Sequence, residues 1–322
     1  MQNQKALKSV KASKDERKRL WKAAIKWPLY SVAVMPVLLA AGWKTAINDN
    51  ILWDQFFGFL IASVFLLIWE NLTNDLFDSE TGVDQFKFHS LITLLGERQL
   101  IKRLAYLALF IGLLLVFLLA IRSSNAVFGL VIGSCCLGYL YQGPPFRLGY
   151  HALGEPLCWL AFGPLGTAAA LLVISPNHTG FDIPWEIASL IGSGPALATT
   201  LVLFCSHFHQ VAQDVEHGKR TSLVLLGTYK AAKLVPWIIG TILFIEFSPL
   251  LQGELPFTVL LGLIGLPSAI ELIDLLKKHH NQPDLISECK FLALRFQTLN
   301  GFGLSVGLAI APSLGINFVH HI

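Results

Sequence analysis

The chain alternates long apolar runs with short polar connections. "FFGFLIASVFLLIW" (56–69), "LAYLALFIGLLLVFLLAI" (104–121), "PLCWLAFGPLGTAAALLVI" (156–174) and "IASLIGSGPALATTLVLFCS" (187–206) are the clearest runs. Each approaches the roughly 20 residues that a helix needs to cross about 30 Å of hydrocarbon. Followed along the chain, the pattern predicts nine spans, at 27–43, 51–74, 104–121, 126–142, 156–174, 187–208, 231–246, 255–273 and 298–316. The expected fold class is therefore all-α, a polytopic membrane bundle of nine transmembrane helices. Spans two and six hold equivalent places if the bundle is two four-helix halves plus one helix.

Charge fixes the orientation. Only 14% of the 322 residues are charged, against about 25% in an ordinary soluble domain. Residues 1–26 form a basic tail, and 27–322 form the membrane domain. With the tail in the cytoplasm, segments 87–103, 142–155, 211–233 and 277–297 share its side. Together they hold 22 of the 24 Lys and Arg, leaving Lys44 and Arg122 outside. That asymmetry places the N-terminus inside and the C-terminus on the opposite side. The tail has no cleavage site after an early apolar core, and Asp15 and Glu16 are unlike a transit peptide. It reads as a segment lying on anionic lipid.

Other classes fall away on the same pattern. The cations sit in short loops, with no basic face interleaved with aromatics, so nucleic acid is a poor partner. Four of the five cysteines lie in apolar runs and no CxxC pair occurs, which argues for packing residues rather than disulfides or zinc ligands. No glycine-rich nucleotide loop is present.

Two polar clusters interrupt the apolar pattern at the cytoplasmic mouths of spans two and six. In "ENLTNDLFDSETGVDQFK" (70–87), Asn71, Asn74, Asp75 and Asp78 recur at i, i+3, i+4 and i+7, one face of a helix, and Asp84 follows Gly82. In "HFHQVAQDVEHGKRTS" (207–222), His207, Gln210 and Asp214 recur at i, i+3 and i+7, followed by Gly218, Lys219 and Arg220. A carboxylate cluster near hydrocarbon repels itself unless something positive binds there. Hard oxygen donors without thiolates suit Mg2+, which is bound through a few carboxylates plus substrate phosphates. Lys87, Lys219 and Arg220 would neutralise a departing diphosphate, and the adjoining membrane would hold a long apolar tail. Taken singly, each Asp or Asn also reads as a solvated helix cap, and Lys219–Arg220 as a topology anchor. Two clusters at one membrane face, each followed by cations, favour a functional site.

At these residues the sequence resembles the UbiA superfamily of intramembrane prenyltransferases. "NDLFDSETGVD" (74–84) looks like the first aspartate-rich motif of its naphthoate-prenylating branch, "DVEHGKRTSLVLLG" (214–227) like the second, and "YQGPPFRLGYHALGEP" (141–156) like the conserved loop, with Tyr141, Tyr150 and Glu155. All three stand in the expected order across spans two to seven. One departure is clear: His209 and Gln210 replace the Arg-Asp pair usual before the position of Asp214, so Gln210 or Glu216 would complete the second half-site. "CSHFHQVxxD" (205–214) is similar to the phylloquinone-pathway members of oxygenic phototrophs.

The resemblance implies a helical bundle around a central cavity, in a photosynthetic bacterium's plasma or thylakoid membrane. It implies that Asn74, Asp75, Asp78, Asp84 and Asp214 hold Mg2+ and the head of phytyl diphosphate, with Asn71, His207 and Gln210 beside them. Asp75, Asp78, Asp214, Tyr141 and Lys219 would then be catalytic. The ring substrate, a carboxylated naphthoquinone or naphthoate, would meet Tyr141, Tyr150, Glu155 and Arg147, whose guanidinium suits a carboxylate. Tyr141 also reads as an ordinary interface tyrosine and Arg147 as a topology anchor. Glu271 and Asp274 flank the cavity or cap their helix. A longer all-trans chain, as in menaquinone precursors, is the sibling alternative. From another class, a secondary transporter of an organic anion would need its site at the midplane, whereas these clusters lie at the mouths.

Overall fold

The computed structural model describes residues 27–81, 97–175, 182–316 and 318. Among them, eight helices are long and apolar enough to cross a bilayer. They are Pro28–Ala46, Trp53–Thr81, Arg98–Arg122, Asn125–Gln142, Gly154–Ile174, Trp185–Ser206, Thr228–Gln252 and Phe257–His279. A ninth long helix, Cys289–Ile310, has the length but carries Lys290, Arg295, Gln297 and Asn300. It packs against the first, sixth and eighth spans. No strand occurs among the described residues. The all-α bundle expected from the apolar runs is the observed architecture, and the basic tail, Asp84 and Lys87 lie outside the described residues.

Several boundaries move outward because polar residues can continue a helix beyond the hydrocarbon. The second span runs to Thr81, past the 74 that apolarity alone suggests. Its closing hydroxyls fold back on their own turn, Ser79 Oγ to Leu76 O at 2.6 Å and Thr81 Oγ1 to Asp78 O at 3.1 Å. The ninth helix starts at Cys289 rather than 298, because the stems of Lys290 and Arg295 let their heads reach water from within a helix. Short turns separate several pairs. Ser123 and Ser124 alone part the third and fourth spans, and Ser124 Oγ accepts from Ala126 N at 3.2 Å to start the fourth.

Small residues let the ninth helix approach its neighbours closely. A Cβ on Gly303 would stand 2.3 Å from Leu261 O, and one on Gly307 the same distance from Thr258 O. Close backbone contact of this kind holds helices together where lipid supplies no hydrophobic drive. The core divides accordingly. One apolar cluster joins mainly the first five spans, and a second joins the sixth to ninth with Val32. Trp237, Phe244 and Phe110 are exposed, as expected of side chains that face lipid.

The bundle has two unlike ends. The second, fourth and sixth spans finish, and the seventh begins, at the end bearing most of the described Lys and Arg. At the other end the two cations expected outside are each paired: Lys44 Nζ lies 2.6 Å from Asp49 Oδ2, and Arg122 pairs with Asp54.

Candidate active site

The basic end gathers the polar residues of both clusters around the loop that follows the fourth span. Its centre is Tyr150. The Tyr150 hydroxyl lies 2.8 Å from Thr81 Oγ1 and donates towards Asp78 Oδ1 at 3.4 Å. Its carbonyl accepts from the backbone N–H of Arg220 at 2.9 Å. Its ring carries Lys219 Nζ at 5.1 Å and Arg147 Cζ at 5.9 Å from the centroid, within cation–π range. One side chain thus touches the first motif and the second at once. Burial, and then the Asp78 carboxylate, push the Tyr150 hydroxyl up to about 12, so it remains a proton donor.

On the second span the one-face pattern holds with unequal burial. Asp75 and Asp78 are 3% and 6% exposed, while Asn71 and Asn74 are half-buried. Asn71 spends its amide on Leu67 O of its own helix at 3.1 Å. Just behind this face, Gln142 Nε2 donates to Thr73 Oγ1 at 2.8 Å and to Glu70 O at 3.1 Å, fastening the fourth span to the second.

The second cluster departs from the expected geometry. The sixth span was expected to run to 208 and to align His207, Gln210 and Asp214 on one helical face. It ends at Ser206, residues 207–210 form a turn, and a short helix, Val211–Glu216, follows. Bonds of i to i−3 type tighten the closing turn, His207 N to Phe204 O at 3.3 Å and Gln210 N to His207 O at 3.0 Å. In a continuous helix, seven residues would separate His207 and Asp214 by about 10.5 Å of rise. The turn instead brings His207 Nδ1 to 3.4 Å from Asp214 Oδ2. Gln210 caps the short helix through its carbonyl, which accepts from Asp214 N at 2.8 Å. Glu216 is exposed, whereas Asp214 is buried.

Asp214 is fully buried, and Lys219, 6% exposed, stands with Nζ 3.9 Å from its Oδ1. Among the described residues both Asp214 oxygens lack a hydrogen bond; His207 Nδ1 is near but not aligned to donate, and the Lys219 ammonium stands beyond hydrogen-bond distance but near enough for charge attraction. A buried carboxylate in that state is costly unless cations stand beside it. Arg220, by contrast, is exposed and contributes its backbone.

The loop residues brace the site. Glu155 Oε2 accepts from Ser222 Oγ at 2.8 Å, tying the loop to the second motif. Tyr141 packs its ring where a Cβ on Gly149 or Gly154 would intrude, at 2.6 and 2.7 Å from Tyr141 Cε2. Arg147, in left-handed backbone (φ 43°), places Nη2 3.3 Å from Glu80 Oε2, and Glu80 also pairs with Arg98. Thr81 and Ser222 were not singled out from the sequence, and Glu80 was noted only as one acid of the first cluster. Each lies within or beside a motif, but only the folded loop shows what it touches. Glu271 and Asp274 are both exposed on the eighth span.

The donor set fits Mg2+. Among the described residues no three His, Cys, Asp or Glu side chains form a ready-made cage. Mg2+ keeps several waters and takes one or two carboxylates plus phosphates. Buried carboxylates on the second span and on Val211–Glu216, linked through Tyr150 and Lys219, suit that mode and an anionic ligand.

A membrane bundle whose buried carboxylates and lysine converge at one end, against apolar spans, has the architecture of the intramembrane prenyltransferases. Residues 27–294 match the UbiA prenyltransferase family, and the chain belongs to that family. It is 35% identical over 294 residues to a 2-carboxy-1,4-naphthoquinone phytyltransferase of Synechocystis sp., covering 90% of this chain and 93% of that protein. It is 36% identical over 297 residues to the chloroplastic 2-carboxy-1,4-naphthoquinone phytyltransferase of Arabidopsis thaliana, covering 91% and 78%. Among solved structures, a digeranylgeranylglyceryl phosphate synthase superposes with a TM-score of 0.56 at 16% identity, over 91% of this chain and 99% of that one. A UbiA homolog from Archaeoglobus fulgidus bound to GPP and Mg2+ superposes with a TM-score of 0.52 at 14% identity, over 89% and 99%. These two likenesses concern the fold.

Proposed function

We propose that the protein transfers a phytyl group from phytyl diphosphate to 2-carboxy-1,4-naphthoquinone, or the corresponding dihydroxynaphthoate, in phylloquinone (vitamin K1) biosynthesis. The observation that carries this reading is the 35–36% identity over about nine-tenths of the chain to two proteins of that named activity. The meeting of Asp78 and Lys219 at Tyr150, with Asp214 beside Lys219, supports it.

On this reading Asn74, Asp75, Asp78 and Asp214, with Asp84, hold Mg2+, which when bound offsets the negative charge of the diphosphate. Lys219 adds positive charge beside the same head. The allylic C–O bond breaks with its electron pair leaving on the diphosphate. The ring carbon bearing the carboxylate forms the new C–C bond, and the C–carboxylate bond then breaks, its electrons returning to the ring as carbon dioxide departs. Tyr150, fixed as a neutral phenol, orients Asp78 and the ring substrate. Tyr141 walls the reacting end against water, which an allylic cation would otherwise capture. Arg147, held by Glu80, is placed for the acceptor's carboxylate.

The neutralised cations at the far end support a cytoplasmic N-terminus and active site, with the C-terminus across the membrane. A cyanobacterial plasma or thylakoid membrane is the proposed location, and 27–322 the single catalytic domain.

The test uses membranes containing the protein, Mg2+, the carboxylated naphthoquinone or naphthoate, and phytyl, geranylgeranyl or longer diphosphates, with product followed by mass. Phytyl-naphthoquinone formation, abolished by EDTA, is the expected result. A longer chain winning would move the protein to a menaquinone-type reaction, and no product from any pair would remove the reading.

A further inference from the structure

Near its far end the seventh span carries a carboxylate that the active site does not use. Glu246 is 3% exposed and lies against the sixth span, where a Cβ on Gly194 would stand 2.3 Å from Glu246 Cγ. Its Oε2 accepts a 2.8 Å hydrogen bond from Nδ2 of Asn300, a fully buried residue midway along the ninth helix. The same amide nitrogen reaches Gly262 O of the eighth span at 3.4 Å. Four helices therefore meet at this pair. The remaining oxygens, Glu246 Oε1 and Asn300 Oδ1, are both buried and, among the described residues, both without a hydrogen-bond partner. Among the described residues no ion pair involves Glu246.

An ionised carboxylate in this position would be an uncompensated charge at membrane depth, held by one hydrogen bond. Two acceptor oxygens cannot satisfy each other, yet a single hydrogen between them satisfies both. Carboxylic acid and primary amide have matching edges for this: the amide N–H donates to the acid carbonyl, and the acid O–H donates to the amide carbonyl. We infer that Glu246 is held as the neutral acid, its proton bridging Oε1 to Asn300 Oδ1 in a two-bond ring that clamps the seventh span to the ninth helix. The ring is a charge-free lock. It fixes the far end of the helix that begins at Thr228, directly after the second polar motif and Gly227.

The inference does not depend on the reaction assigned above, and its test is separable from it. Glu246→Gln replaces the acid with an amide that can make the same two bonds. Its melting temperature and its prenyl-transfer rate should equal those of the unaltered protein, whatever the Na+ or K+ concentration. Asn300→Leu, which strands the acid, should lower the melting temperature by several degrees. Infrared difference spectra of the protein against Glu246→Gln should contain the carbonyl band of a protonated carboxylic acid. A Glu246→Gln protein that is as unstable as Asn300→Leu, or that fails to fold, would overturn the inference. So would a melting temperature that rises with Na+ or K+ and loses that response in Glu246→Gln, because the two oxygens would then be ligands to a cation.

Discussion

The Tyr150 hydroxyl stands 3.4 Å from Asp78 Oδ1, across a chain separation of 72 residues. The loop after the fourth span thereby reaches the first acidic motif, and Lys219 over the same ring adds the second. The geometry makes one site of two clusters that the sequence presents separately. Tyr150→Phe should keep the ring and its cation–π contacts but lose the donor. A lost hydrogen bond to a charged group is worth about 1.5–3 kcal/mol, so kcat should fall roughly tenfold to a hundredfold.

The same residue sets a pH expectation. Its phenol is raised to about 12, first by burial and then by Asp78. The contacts of the neutral form are intact below the free-tyrosine value near 10 and are lost only as pH rises through about 12. The cost of Tyr150→Phe should therefore be constant between about pH 7 and pH 10. Profiles of kcat for both proteins check this; a wild-type decline near pH 10 that Tyr150→Phe lacks would contradict it.

Much of this was legible in the sequence, for physical reasons. Membrane-length apolar runs have one stable structural answer, a helix, so the spans could be read directly. Asp75 and Asp78 share a face because the second span remains helical to Thr81. Periodicity failed at His207–Asp214, where the helix stops and a turn does the positioning. A turn built from i to i−3 bonds leaves no spacing signature. Nor does any local pattern announce Ser222 as the partner of Glu155, 67 residues away.

That last pair should be energetically coupled. Glu155→Ala and Ser222→Ala each release the loop from the second motif, and a double variant should lose little beyond either single one. A coupling of about 0.5–3 kcal/mol in a kinetic double-mutant cycle is expected for side chains in direct contact. Strict additivity would show that the bond does not brace the site.

Exposure separates two acids that lie close together in sequence. Glu216→Ala should leave activity within about twofold of wild type, because surface changes of this sort rarely exceed 0.5 kcal/mol. Lys219→Met, removing the buried cation beside Asp214, should raise the KM for the diphosphate substrate and lower kcat at least tenfold. Steady-state kinetics on the two variants side by side check both expectations.

The claim that two motifs form one diphosphate site is tested most directly by single-turnover rates for Asp78→Asn, Asp214→Asn and the double variant with phytyl diphosphate. Groups acting as a unit are strongly non-additive. The account predicts that each single variant loses at least a hundredfold and that the double variant is scarcely slower. Losses that multiply, or an Asp214→Asn protein that keeps near-normal turnover, would contradict it.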